Sequence, residues 1–168
     1  MSKFIVRDLL LATLVIALFL LESSNIHLQL MSGLGIGLII YLMHEWSHYI
    51  GAILTGANLT RANSLLSPFI FSFDSKTNSR KQFIDMSWPG FASTFSCLVI
   101  LYMFRPDMIW AEVAWTAALA LTAFTVIVEG PIFLWALIKR EIPPVEIPLI
   151  DFNSAVQTLK TRLKKLIQ

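Results

Sequence analysis

The apolar run over residues 38–54 carries His44-Glu45-Trp46-Ser47-His48 in its middle. A run of this kind reads as a helix, and on a helix positions four apart share a face. His44 and His48 can therefore aim their imidazoles at one point, which is how two ligands of a zinc ion are commonly supplied. Glu45 beside them is placed as a general base. Ionisable groups inside hydrocarbon are costly and mark function by default. The competing reading is a pair of buried histidines satisfied by neighbouring helices. Two of the three histidines in the chain fall in this one turn, and lipid offers no water to satisfy stray polar groups; both points favour the metal site.

Composition agrees with a membrane setting. Charged residues are 14% of the 168 and hydrophobic residues 56%, against about 25% charged in an ordinary soluble domain. Mean hydropathy is +0.69. The single cysteine, Cys97, excludes an internal disulfide and a cysteine-based zinc site, and reads as a small apolar filler. Nothing in the pattern points to nucleic acid or specifies an oligomeric state.

The predicted fold class is an all-α membrane protein of about four transmembrane helices, with a short β-like surface segment and a C-terminal amphipathic helix. Residues 4–21 form the first apolar segment, read as an uncleaved helix because no small-residue cleavage site follows it. Residues 22–29 form a polar link holding His27, an exposed loop histidine. Residues 30–54 make the second span. Gly33, Gly35 and Gly37 open it, either for close helix packing or as room for substrate and water.

Residues 55–87 are rich in turn formers, and Pro68-Phe69-Ile70-Phe71-Ser72-Phe73 reads as an extended stretch at the membrane surface. Such a strand could pair with an extended substrate or simply cover the site. Trp88-Pro89-Gly90 predicts a turn before a third run over 91–104, which is short for a span unless residues 83–88 contribute. The fourth run covers 108–138. Glu112 sits near its outer end, and Glu129 lies deep, before Gly130-Pro131, where proline should kink or break the helix. After a stiff proline-rich linker, residues 151–167 place Phe152, Val156, Leu159, Leu163 and Leu166 opposite four basic residues. This is a basic amphipathic helix suited to an anionic membrane face.

With four spans, every Lys and Arg except Arg105 falls on one side. That asymmetry predicts a multi-pass protein of the cell membrane with both termini cytoplasmic. It also sets depths. His44 and Glu129 both lie about 14 Å from the cytoplasmic end at 1.5 Å per residue. Hydrolytic zinc sites use three protein ligands and leave a fourth position open. Glu129 is the favoured third ligand; Asp85 competes if the Trp88-Pro89-Gly90 segment dips inward. The reading against Glu129 is a structural carboxylate bonded to a hydroxyl such as that of Thr125.

The order of these features resembles the site-two protease family of intramembrane zinc metalloproteases. His44 to His48 matches the family's first motif. Thr55-Gly56-Ala57-Asn58 and the stretch to Phe73 resemble its small-residue turn and membrane-associated β-rich region. Ser87-Trp88-Pro89-Gly90-Phe91-Ala92 is similar to its Gly-Pro turn but lacks the usual Asn. Val128-Glu129-Gly130 is similar to its Leu-Asp-Gly, with Glu in place of Asp. The resemblance implies a divergent member with a metalloprotease-like membrane domain over 1–140 and a cytoplasmic linker and helix over 141–168. It implies Zn²⁺ held by His44, His48 and Glu129, Glu45 as the catalytic base, and membrane-anchored protein substrates in the bilayer. The alternative is an inactive member serving as a membrane scaffold or metal-binding protein.

Overall fold

The computed structural model describes residues 1–21 and 25–142. The amphipathic helix expected over 151–167 lies outside the described residues. The chain is mostly helical, in the order α1 (Ser2–Leu20), α2 (Ile26–Leu54), β1 (Leu59–Arg61), β2 (Phe71–Phe73), α3 (Arg80–Phe104), α4 (Ile109–Phe124) and α5 (Gly130–Lys139). A π-helical turn, Thr125–Glu129, joins the last two helices. Among the described residues, three stretches are long and apolar enough to cross a membrane: Ile26–Leu54, Arg80–Phe104 and Ile109–Lys139. The shorter α1 carries Lys3, Arg7 and Asp8 in its first turns and is not among them.

The central helix is α2, which packs against α1, α3 and α4. It begins earlier than expected. Asn25 caps it by accepting the His27 amide at 2.9 Å, so His27 is exposed but sits in the first helical turn, not in a loop. Capping oxygens of this type satisfy amides that have no intrahelical partner. The three glycines are packing positions. A Cβ at Gly33 or Gly37 would strike Val113 or Ala117 of α4, and one at Gly35 would strike Val15 of α1. Small residues of this kind let helix backbones approach closely where lipid supplies no hydrophobic drive.

One expectation about the later helices fails. Trp88-Pro89-Gly90 is not a turn: Pro89 lies inside α3, which starts at Arg80 behind a capping box formed by Ser79 and Gln82. Before Pro131 the α-helical run is interrupted, with α4 ending at Phe124 and α5 starting at Gly130. The helix widens into the π turn, where the Gly130 amide reaches the Thr125 carbonyl, and Pro131 falls in the first turn of α5, where its missing N–H costs nothing.

Between α2 and α3 the strands pair antiparallel, Leu59 opposite Phe73 and Arg61 opposite Phe71. The extended aromatic stretch is therefore one arm of a hairpin. Its turn into α3 is closed by Asp74, whose carboxylate accepts from the Thr77 hydroxyl at 2.7 Å and the Lys76 amide at 2.9 Å. These bonds hold its carboxyl below the usual range. The hairpin is anchored from α1. Lys3 donates to the Asn63 carbonyl at 2.6 Å, and Arg7 to the carbonyls of Leu65 and Ser67 at 2.8 and 3.1 Å. Phe4, Ala62 and Ile70 form a small buried core beneath it.

Candidate metal centre

The site is assembled from α2, α3 and the π turn. His44, Glu45 and His48 are 1%, 6% and 8% exposed. Their burial follows from the position of α2 between α3 and α4. The π turn adds one residue per turn and swings Glu129 toward α2. Its carboxylate straddles the imidazole pair, Oε1 at 3.3 Å from His44 Nε2 and Oε2 at 3.3 Å from His48 Nε2. The depth match read from the sequence thus corresponds to a direct contact. His44, His48 and Glu129 form a group that could hold a metal ion, with one donor atom from each all within 4.8 Å of one another.

The other candidates are elsewhere. Asp85 pairs with Lys81 on an outward face of α3 at 2.5 Å and is not in the group. Thr125 does not bond Glu129: its buried hydroxyl has no partner among the described residues. Glu112 is half exposed in the first turn of α4, 3.3 Å from Arg105.

The tautomers follow from chemistry. His48 Nδ1 lies 2.9 Å from the Met86 carbonyl and His44 Nδ1 lies 3.0 Å from the Gly90 carbonyl. A carbonyl only accepts, so each Nδ1 carries its proton and donates it. His44 Nδ1 is also 2.8 Å from the Thr94 hydroxyl. Both Nε2 atoms of the neutral rings are then bare lone pairs, and they face each other at 3.0 Å. Two lone pairs at that distance, with a carboxylate across them, require a positive charge between them: one proton or one metal ion.

The donor set fits a metal. Imidazole nitrogens and a carboxylate suit zinc and its neighbours. Donors at about 2.0–2.1 Å from a tetrahedral ion lie about 3.3 Å apart, and the observed separations are 3.0, 3.3 and 3.3 Å. Backbone carbonyls on the far nitrogens are the usual outer partners of metal-binding histidines. Sequence reasoning missed these partners. Thr94 lies in the third apolar run, and the Met86 and Gly90 carbonyls belong to the part of α3 where the sequence predicted a turn. Gly90 itself is required there, because a Cβ would collide with the His48 ring.

Beside the group is a cavity lined by Glu45, His48 and Glu129 together with residues of the hairpin stretch and α3. No hydrogen bond engages the Glu45 carboxylate among the described residues. Comparisons with protein-family models, curated proteins and solved structures find no match for the chain. The functional reading therefore rests on these residues.

Proposed function

We propose that this protein is an intramembrane zinc metalloprotease, a divergent relative of the site-two proteases, that hydrolyses peptide bonds of membrane-anchored proteins. The observation that carries the reading is the pair of bare Nε2 atoms and the Glu129 carboxylate converging on one point, with Glu45 on the wall of the same cavity. His44, His48 and Glu129 would hold the ion. When bound, zinc supplies Lewis acidity, lowering the pKa of a water and polarising the peptide carbonyl. Glu45 takes up the proton released as the water oxygen bonds to the carbonyl carbon. It returns that proton to the leaving nitrogen as the C–N bond breaks. Met86, Gly90 and Thr94 keep both rings in the tautomer and orientation this needs.

Phe71, Ser72 and Phe73 of β2 line the cavity, and β1 covers one edge of that strand and leaves the outer one. A two-stranded sheet leaves that edge unpaired, and an extended substrate segment can add to it. In this reading α1 is a fourth span and both termini are cytoplasmic. Lys3, Arg61, Arg80 and Lys139 then lie on the side of the hairpin, and Arg105 alone lies opposite.

The test is zinc content and proteolysis of the purified protein and of Glu45→Gln. The expected outcome is about one zinc per chain in both, with cleavage of a membrane-anchored substrate slowed at least about 100-fold by the substitution. Protein that binds no divalent metal, or a Glu45→Gln variant as active as the parent, would refute the proposal.

A further inference from the structure

The cavity is lined by two chemically different sets of side chains. One is Glu45, His48 and Glu129. The other is aromatic: Phe69, Phe71 and Phe73 from the hairpin stretch, Phe83 and Phe91 from α3, with Ile132 of α5 beside them. These rings are held in place by other rings. Phe73 and Phe83 meet edge to face at 5.7 Å, Phe71 lies 5.7 Å from Tyr49, and Phe91 lies 5.2 Å from Phe133. The apolar set is thus a formed surface, backed by side chains that already pack. No Lys or Arg lines the cavity among the described residues, and its only charged side chains are the two glutamates.

We propose that the aromatic set is a side-chain subsite that selects an extended segment carrying a large apolar residue, Phe or Leu in size, beside the bond to be cut. The proposal rests on the hydrolase reading for the bond, and on the cavity alone for the selectivity. A strand presents alternate side chains to one face, so a segment laid along β2 sends every second side chain toward the rings. Burial of a Leu or Phe side chain there favours binding about 10- to 100-fold over Ala. An Asp at that position loses by desolvation among the rings.

Fluorescent peptides identical except at one position (Phe, Leu, Ala or Asp) are titrated with the full chain bearing Glu45→Gln in detergent, with partition into empty micelles subtracted. The Phe and Leu peptides are expected to bind at least 10-fold tighter than the Ala peptide, and the Asp peptide weakest. Adding Phe83→Ala should narrow the Phe-to-Ala gap to under 3-fold. Phe83→Leu should retain most of it and guards against simple misfolding. Phe95→Ala, on an exposed face of α3, should leave it unchanged. Equal binding of Phe and Ala peptides, or a gap indifferent to Phe83, would overturn the subsite. The same peptides offered to the unsubstituted protein separate the two ideas. Cleavage without side-chain preference leaves the hydrolase and removes the subsite. A Phe83-dependent binding gap without any cleavage does the reverse.

Discussion

One turn of α2 contributes to two buried polar clusters on nearly opposite faces. On one face Trp46 donates its indole N–H to Asp8 Oδ2 at 2.8 Å, and Arg7 Nε donates to Asp8 Oδ1 at 2.6 Å. Arg7 Nη1 donates to the carbonyls of Leu65 and Ser67. On the other face His44 and His48 spend their Nδ1 protons on α3 and leave both Nε2 atoms open. The first cluster is closed: each oxygen of the carboxylate has a donor, and the network ties α1, α2 and the hairpin together. The second is open, and its open atoms border a cavity. Burial of polar groups is common to both, so burial alone does not mark a site. The distinguishing feature is which polar atoms remain unspent after the helix-to-helix bonds are counted.

The sharpest way to break this contrast is to remove an open atom. Glu129→Ala takes away the only anionic donor of the triad. The expected result is a fall in metal affinity beyond the roughly 10- to 100-fold that loss of an outer partner costs, read by competition with a chelating dye. Asp85→Ala should leave affinity unchanged. Unchanged metal affinity in Glu129→Ala would mean that its carboxylate is not a ligand of the bound ion.

The closed cluster should behave in the opposite way. Asp8→Ala leaves Arg7 Nε and the Trp46 N–H without their acceptor at a site where Asp8 is 7% exposed. Removing one member of a buried ion pair costs about 3 kcal/mol, which should appear as a lower melting temperature and faster proteolysis of the 59–73 hairpin. Metal content per folded chain should not change. If Asp8→Ala instead strips the metal while the fold survives, the two faces of α2 are coupled and the contrast fails.

The open cluster was legible in the sequence and the closed one was not, for a physical reason. His44 and His48 share one helix, so their convergence follows from helical period alone, and Glu129 was found by counting residues from the basic end of its span. Arg7 and Asp8 read only as charges flanking an apolar start. Their engagement with Trp46 depends on how α1 crosses α2, which no local pattern specifies. Trp88-Pro89-Gly90 was read as a turn, yet α3 runs through Pro89. The carbonyls on either side of it, Met86 and Gly90, accept from His48 and His44, so the segment that looked like punctuation is the one that orients the ligands. The π turn before Pro131 is similar: the sequence announced a disturbance, but only the structure shows that it is absorbed by widening the helix. Of the hairpin, the aromatic arm was visible, while Leu59–Arg61 was too short and too polar to stand out.

The smallest expected effect tests the boundary between the two kinds of cluster. Thr94 is 1% exposed, and its hydroxyl accepts the same His44 proton as the Gly90 carbonyl. It could belong to the packing of α3 on α2 or to the tuning of the metal ligand. In Thr94→Val the volume is kept and the carbonyl remains as acceptor, so the ring keeps its tautomer and loses one of two restraints on its tilt. Metal affinity should drop about tenfold, at the low end for an outer partner, with stability changed by about 1 kcal/mol or less. Thr94→Ser should restore affinity, since only the oxygen matters. A stability loss with unchanged affinity would assign the hydroxyl to packing. A loss as large as that of Glu129→Ala would show that the Gly90 carbonyl alone cannot orient His44, and that the open cluster depends on a side chain no motif had singled out.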